Sequence, residues 1–369
     1  MGTSSRPQGC RASDEWSFRG MRMAVIENDR LRVVVALDRG AEIVEFGGQG
    51  DEGSRVDPLL RLPDRLTPAG DTNRAGVDGD MVFMDRYAGG WQEILPNGGP
   101  PSEHAGARYG QHGDITLVPW SFRVLVDCVD EVTVACTGRS TAAPLAIERR
   151  MTLRSDRPVL FIEETLTNES DEPVDAMWGH HVAFGRPFLE DGGRIHTSGR
   201  AVTVHDPFPG DQARRLIPGT AGTWPVLAGP TGPVDLSVVP APGVEHAMEM
   251  CYLSEFDGPA WYAISGRSTG FALRWDGELF RYLWLWQELE SSGAYPGWGS
   301  LYAVALEPWT SFPTDGLAAA VQRGTQLVVP AHGAIHTTLV ATLFDPAGAV
   351  DLVDADGTVR FRETETVTA

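Results

Sequence analysis

Short segments rich in β-branched and aromatic residues, separated by turn residues, recur along most of this chain. The segment LFIEETLTN at 160–168 alternates apolar and polar residues with a period of two, as expected of a strand with one solvated face. The 42 glycines and 26 prolines favour turns over long helices. The best helical pattern is short, at 313–324, with Thr314 or Asp315 as its predicted N-cap. We therefore predict an all-β fold, most simply a single large β-sandwich.

The domain organisation is predicted to be simple, because no glycine-rich linker and no clear internal repeat divides the chain. The first 20 residues lack the apolar stretch of a secretory signal, and we interpret residues 1–20 as a loose leader. Strand-like segments continue from there, so we predict one domain over 21–346 and a C-terminal extension over 347–369.

The charge balance argues against two classes of partner. Fifty acidic and 30 basic residues give a net charge of −20, which repels nucleic-acid phosphates and anionic lipids. No apolar run approaches the length of a membrane span. The four cysteines include no Cys-x-x-Cys pair, and a disulfide framework is not expected in so long a chain. We expect a cytoplasmic protein that binds neither nucleic acid nor membrane.

Three short segments carry residues suited to acid–base chemistry. YGQHGDITLVPW at 109–120 holds His112, WGHHVAFG at 178–185 holds His180 and His181, and LYAVALEPWTSFP at 301–313 holds Glu307. Glu307 ends an apolar strand next to Trp309, and desolvation there would raise its pKa toward the range of a useful base. A surface acid that closes a strand is the alternative interpretation of Glu307.

The adjacent histidines cannot both face one cleft on a regular strand, because successive side chains point to opposite faces. One is expected to be buried and hydrogen-bonded, and the other free to act. The pattern alone leaves open that either is an ordinary core histidine. A metal pair is not favoured, because adjacent histidines on a strand diverge.

Tryptophan is abundant, with 11 in the chain. Most are expected in the core, and a few could stack on the apolar face of a sugar ring. Trp284 and Trp286 share one face of a strand, which fits core packing equally well. As candidates for sugar contact we take Trp91, Trp286 and Trp309.

These segments, in this order, resemble the aldose 1-epimerase or galactose mutarotase-like family. QHGD resembles its His-Gly segment, HHVAF its His-x-x-aromatic segment and ALEPW its Glu-Pro segment, and the likeness runs over roughly residues 22–345. The resemblance implies a large antiparallel β-supersandwich. It also implies an isomerase that interconverts the anomers of a small carbohydrate by ring opening and closure, with no metal and no cofactor.

The resemblance implies a role for each residue. Glu307 is the general base, His181 the general acid, and His112 binds the sugar. The two catalytic groups are expected at opposite ends of one sugar. His181 is preferred to His180 because Phe184 then falls at the aromatic position of the segment.

Several positions differ from the family pattern and keep alternatives open. The sugar-binding arginine has two candidates, Arg74 in TNRAG and Arg86 in MDRYAGGW, and Asp206 in VHDP is the nearest match to the family's Asp-His segment. A non-catalytic carbohydrate-binding protein is one alternative function. A lyase or glycosidase is another, which requires a second carboxylate; the candidates are Glu93, Asp114 and Glu288.

Overall fold

The computed structural model describes residues 8–49, 55–68, 82–207, 213–293, 295 and 297–362. The first strands are β1 Arg11–Phe18, β2 Met21–Glu27, β3 Leu31–Ala36, β4 Glu42–Gln49, β5 Arg55–Val56, β6 Trp91–Ile94, β7 Ser102–His104, β8 Ala107–Tyr109, β9 Ser121–Asp127, β10 Glu131–Arg139, β11 Leu145–Arg154, β12 Val159–Asn168, β13 Val174–Ala176, β14 Gly179–Gly185 and β15 Gly193–Thr197. The remaining strands are β16 Gly199–Val204, β17 Ala221–Thr223, β18 Val226–Gly229, β19 Gly232–Asp235, β20 Val238–Val239, β21 Ala247–Phe256, β22 Ala260–Ser265, β23 Gly270–Trp275, β24 Tyr282–Leu289, β25 Tyr302–Trp309, β26 Leu327–Val329, β27 Ala334–Phe344, β28 Val350–Val353 and β29 Val359–Phe361. The α-helices are α1 Val82–Arg86 and α2 Leu317–Arg323.

Two antiparallel sheets contain most of these strands. The large sheet has twelve strands in the order β1-β2-β3-β4-β6-β14-β25-β24-β21-β16-β17, with β5 paired to β4. The second sheet has nine strands in the order β20-β15-β22-β23-β27-β12-β11-β10-β9. The prediction of an all-β, antiparallel supersandwich is confirmed.

The main core lies between the two sheets. Phe271 on β23 of the second sheet meets Phe46 and Phe184 of the large sheet, with ring centroids 5.2 Å apart in both cases. Strand β14 lies in the middle of the large sheet, and all seven of its residues are buried. A strand covered on both faces has no polar face, which is why its sequence is mostly apolar instead of alternating.

Both ends of the chain carry strands of their own. Within the predicted loose leader, residues 11–18 form β1, an edge strand of the large sheet that pairs with β2. At the other end, β28 and β29 form a hairpin whose Val350 and Val353 pack on Trp261 of the second sheet. The outer residues of β1 are exposed, so its sequence lacks the apolar face that reveals a strand.

Helix α2 begins later than predicted. Its first residue is Leu317, and Gly316, with φ of 88°, takes the N-cap position expected for Thr314 or Asp315. Gly324 ends it in the left-handed conformation that favours glycine. No helix in the described ranges is long and apolar enough to cross a membrane.

Candidate active site

A row of side chains crosses five neighbouring strands of the large sheet. Gln92 on β6 lies opposite His181 on β14, and Glu307 on β25 lies opposite Trp284 on β24. Because Gly179 pairs with Trp309 and Ala183 with Ala305, His181 on β14 lies opposite Glu307 on β25. At one end, the Gln92 amide nitrogen donates to Glu42 Oε1 at 2.7 Å. Directly opposed residues project from the same face, so these five residues, called the site row below, share one face.

The site row lies on the face of the large sheet that points away from the second sheet. The chain neighbours of His181 and Gln92, which are His180 and Glu93, point toward the second sheet instead. There they contact Arg149 and Glu164 of that sheet. His180 is therefore a core histidine, and His181 is the one on the site face. Strand alternation and the position of the second sheet together decide between the two histidines.

The central pair of the site row is in direct contact. His181 Nε2 lies 3.5 Å from Glu307 Oε1, and Trp309 Nε1 donates to Glu307 Oε2 at 2.9 Å. His181 Nδ1 has no hydrogen-bond partner among the described residues. The side chains are 7% and 3% exposed for His181 and Glu307. The contact leaves no room for a sugar between the two groups, which corrects the expectation of a sugar held between opposite ends.

Aromatic rings surround this pair. The His112 ring lies 5.8 Å from the His181 ring and 4.5 Å from that of Phe83 on α1. Tyr87 and Trp286 approach the His181 ring at 5.2 and 6.2 Å. Three segments that are far apart in sequence thus bring His112, His181 and Glu307 together.

His112 has a fixed orientation. Its backbone N–H donates to the Gly99 carbonyl at 3.0 Å, and the Gly99 N–H donates to His112 Nδ1 at 3.3 Å. Because Nδ1 accepts this bond, the neutral ring carries its proton on Nε2. His112 has φ of 56°, a conformation that costs energy in residues other than glycine and that often occurs at functional sites.

Burial sets the protonation of the site. It raises the pKa of Glu307 to about 8, although the Trp309 hydrogen bond opposes this. It lowers the pKa of His181 to about 4, and burial followed by the nearby His181 lowers the pKa of His112 to about 3. At neutral pH the Glu307–His181 pair therefore holds one proton, which rests on Glu307, and both His181 and His112 are uncharged.

The predicted tryptophans divide between the two faces. Trp309 bonds to Glu307 and stacks on Trp284 with centroids 4.0 Å apart, and Trp286 adjoins His181. Trp91 lies on the core face instead, where its Nε1 donates to His180 Nδ1 at 3.2 Å. It alternates with Gln92 along β6, so it cannot reach a sugar on the site face, and its predicted role is wrong.

The two arginine candidates differ in what the structure describes of them. Arg74 lies outside the described residues. Arg86 ends α1, is buried, and donates from Nη1 to the Pro68 carbonyl at 2.9 Å. It lines a small cavity together with Phe83 and Tyr87, the two rings that flank the histidines.

Sequence reasoning missed four residues of this site. Phe83 and Tyr87 belong to α1 and the residue after it, and Glu42 and Gln92 extend the site row. Gln92 and Glu93 are adjacent polar residues in a four-residue strand that is buried throughout, and polar residues on both faces of such a strand are a signal of two polar sites. The sequence around Glu42, Phe83 and Tyr87 gives no sign of a site, because their placement depends on how distant segments pack.

A second group of polar residues lies between the sheets. Glu93, Glu164 and His180 bring carboxylate and imidazole atoms within 4.8 Å, a spacing that could hold a metal ion. The atoms that would ligate the metal are already engaged in other interactions. Arg149 bonds to both carboxylates, and Trp91 donates to His180 Nδ1. In the neutral ring the proton then lies on Nε2, 3.2 Å from Glu164, where it blocks ligation of a metal. The group does not fit a metal centre.

The comparisons place the chain in a family. A family model described as a domain of unknown function, DUF4432, matches residues 18–342. This chain belongs to the DUF4432 family. None of the curated proteins matches the sequence.

Solved structures share the fold. A proposed aldose 1-epimerase from Klebsiella pneumoniae matches with a TM-score of 0.66 at 15% identity, over 90% of this chain and 83% of the other. A galactose mutarotase-like protein from Clostridium acetobutylicum has a TM-score of 0.61 at 15% identity, over 92% and 99%. A galactose mutarotase related enzyme from Lactobacillus acidophilus has a TM-score of 0.54 at 15% identity, over 87% of this chain and 96% of the other. At this identity the likeness shows that the DUF4432 chain has the galactose mutarotase-like fold.

Proposed function

We propose that this protein is a mutarotase, which interconverts the anomers of an aldose by opening and closing its ring. The observation that carries the proposal is the Glu307–His181 pair, 3.5 Å apart and enclosed by aromatic rings. Such a pair supplies one proton donor and one acceptor without a cofactor. The fold shared with proteins named for aldose 1-epimerase and galactose mutarotase supports it.

The Glu307–His181 pair carries one exchangeable proton, and anomer exchange needs one proton donor and one proton acceptor. The proton that burial keeps on Glu307 first passes to His181 across their 3.5 Å contact. With Glu307 then a carboxylate and His181 an imidazolium, Glu307 takes the proton of the anomeric hydroxyl and His181 gives one to the ring oxygen. The C1–O5 bond breaks, and an open-chain aldehyde remains beside a carboxylic acid and a neutral imidazole. After rotation about the C1–C2 bond, His181 takes back the proton, Glu307 returns its own, and the ring closes as either anomer.

The closeness of the two groups suits this chemistry. The anomeric oxygen and the ring oxygen are bonded to the same carbon, so the groups that serve them must be neighbours. The sugar then lies against both groups on the site face of the sheet. His112 Nε2–H is free to donate to a hydroxyl, and Trp286 offers an apolar face to the ring C–H groups.

The glycosidase alternative requires a second carboxylate about 5–10 Å from the first. Glu93 lies on the core face, and Asp114 accepts hydrogen bonds from Ser140, Thr141 and Ala142. Glu288 is four residues along β24 from the partner of Glu307, which is about 13 Å at the rise of a strand. Glu93 and Glu288 are therefore not placed beside Glu307 for glycosidic cleavage, and the Asp114 carboxylate is held by its own loop.

The direct test measures anomer exchange by magnetisation-transfer NMR on freshly purified protein with D-glucose, D-galactose, D-mannose and D-xylose. We expect at least one sugar to exchange well above its spontaneous rate. Binding of a sugar, seen by calorimetry, without any acceleration would support the carbohydrate-binding alternative and contradict the proposal.

We expect a bell-shaped pH dependence of kcat/KM with limbs near pH 4 and pH 8. Below the lower value both groups are protonated and no base remains; above the upper value both have lost their protons and no acid remains. Exchange rates corrected for the spontaneous reaction measure the profile. His181→Asn should remove the acidic limb and lower the rate, and an unchanged acidic limb in that variant would contradict the assignment.

A further inference from the structure

A small cavity adjoins the site row between the sheet face and α1. Its walls include Glu42 and Gln92 from the sheet, Phe83 from α1, Tyr87 just after it, and Thr116 from the 3₁₀ turn Ile115–Leu117. Arg39 and Arg86 also line it. The open space is about that of a single water molecule.

Three polar atoms on these walls have no hydrogen-bond partner among the described residues: Tyr87 Oη, Gln92 Oε1 and Thr116 Oγ1. Each of the three residues is more than nine-tenths buried. The Gln92 amide nitrogen donates to Glu42 Oε1 at 2.7 Å and to the Gly89 carbonyl, so its orientation is fixed and Oε1 remains as an acceptor. Buried polar atoms are nearly always paired, and three orphans on one cavity indicate that the cavity is built to receive a polar group.

The donor and acceptor pattern selects the chemistry of that group. Gln92 Oε1 requires a donor, while the Tyr87 and Thr116 hydroxyls can donate or accept. A carboxylate or phosphate has no proton for Gln92 Oε1. The cations on the wall are already engaged, because Arg39 pairs with Glu42 at 3.0 Å and Arg86 donates to the Pro68 carbonyl. An ammonium group could donate to all three atoms, but it would lie among the side chains of Arg39 and Arg86, which carry the same charge and also line the cavity. A single hydroxyl both donates and accepts, and it matches the size of the space.

The cavity is within reach of a sugar at the catalytic pair. Gln92 lies directly opposite His181, one strand spacing or about 4.8 Å away, and the Tyr87 ring is 5.2 Å from the His181 ring. Glu307 lies one strand further, on the other side of His181. A hydroxyl in the cavity therefore belongs to a carbon away from the anomeric centre.

We infer that the cavity formed by Tyr87, Gln92 and Thr116 is the subsite for one non-anomeric hydroxyl of the substrate, and that the substrate is a neutral aldose that carries this hydroxyl. The inference rests on the proposed function for the position of the sugar. A sugar that lacks the hydroxyl leaves buried polar atoms unpaired, and sites of this type reject such analogues strongly.

The test compares each aldose that binds or exchanges with its monodeoxy derivatives. For wild-type protein we expect one derivative to lose roughly 10²-fold in kcat/KM, with the others much less affected. In Thr116→Val the kcat/KM for the parent sugar should fall while that for the sensitive deoxy derivative stays the same. The ratio of the two values should therefore shrink at least about tenfold. Tyr262→Phe is the matched control, because Tyr262 is also buried with an unpartnered hydroxyl but lies in the core between Phe184 and Phe271.

The outcomes separate this inference from the proposed function. Calorimetry with Glu307→Gln measures the same discrimination without turnover. Discrimination in binding that Thr116→Val removes supports the subsite even if no sugar is turned over. Turnover with equal rates for every monodeoxy derivative, or discrimination unchanged in Thr116→Val, overturns the subsite and leaves the mutarotase proposal standing. Failure of all four parent aldoses to bind contradicts both.

Discussion

Replacing Glu307 by Gln is expected to reduce catalysed anomer exchange by about 10²–10⁴-fold while sugar binding is largely retained. The amide preserves the shape of the side chain and can still accept the Trp309 hydrogen bond, but it cannot take the anomeric proton. Exchange NMR measures the rate and calorimetry the binding. Glu163→Gln, an exposed position on the outer side of β12, is the control and should leave both unchanged. Full activity in Glu307→Gln would show that another residue is the base.

The same variant has a predicted effect on stability that separates lost catalysis from misfolding. The folded-state pKa of Glu307 is about 8, above the ordinary value of 4.5, so the folded protein holds a proton that the unfolded chain releases. Its contribution to stability is fully present below pH 4.5 and falls as the pH rises to about 8, by about 1.4 kcal/mol per pKa unit. Gln does not titrate, so Glu307→Gln should gain stability relative to wild type as the pH rises. Urea unfolding at pH 5, 7 and 9 tests this sign.

Replacing Arg149 by Leu is expected to destabilise the fold by about 3–5 kcal/mol. Arg149 bonds to Glu93 and Glu164 between the two sheets and also donates to the Ala41 carbonyl at 3.0 Å. Its loss leaves two buried carboxylates without their cation. Burial and the Glu164 charge already raise the pKa of Glu93 to about 7. Denaturant unfolding measures the loss.

Arg150→Leu is the matched control for this prediction. Arg150 is the next residue on the same strand, but its side chain is exposed and pairs with Glu148 at the surface. Exposed ion pairs contribute at most about 1 kcal/mol, so little change is expected. Adding Glu93→Gln and Glu164→Gln to Arg149→Leu should recover part of the lost stability, because no unpaired charge then remains. Equal losses for Arg149→Leu and Arg150→Leu would contradict a special role of the buried cluster.

Local sequence determined the class of the fold. A period of two and frequent turn residues are properties of neighbouring residues, and they suffice to predict an all-β chain. The same alternation predicted that only one of His180 and His181 could face a cleft. The resemblance of three short segments predicted that His112, His181 and Glu307 belong together.

Tertiary structure alone decided which face of each strand became the site. Trp91 and Gln92 are neighbours in the sequence, yet the second sheet covers Trp91 and leaves Gln92 on the site face. The contact between His181 and Glu307 depends on the register of β14 against β25, residues more than 120 positions apart in the chain. Tyr87 and Thr116 became part of a cavity because α1 and a distant turn pack over that face. Alternation fixes that two faces differ, but which one is covered depends on pairings between distant segments, and these are set by packing in three dimensions.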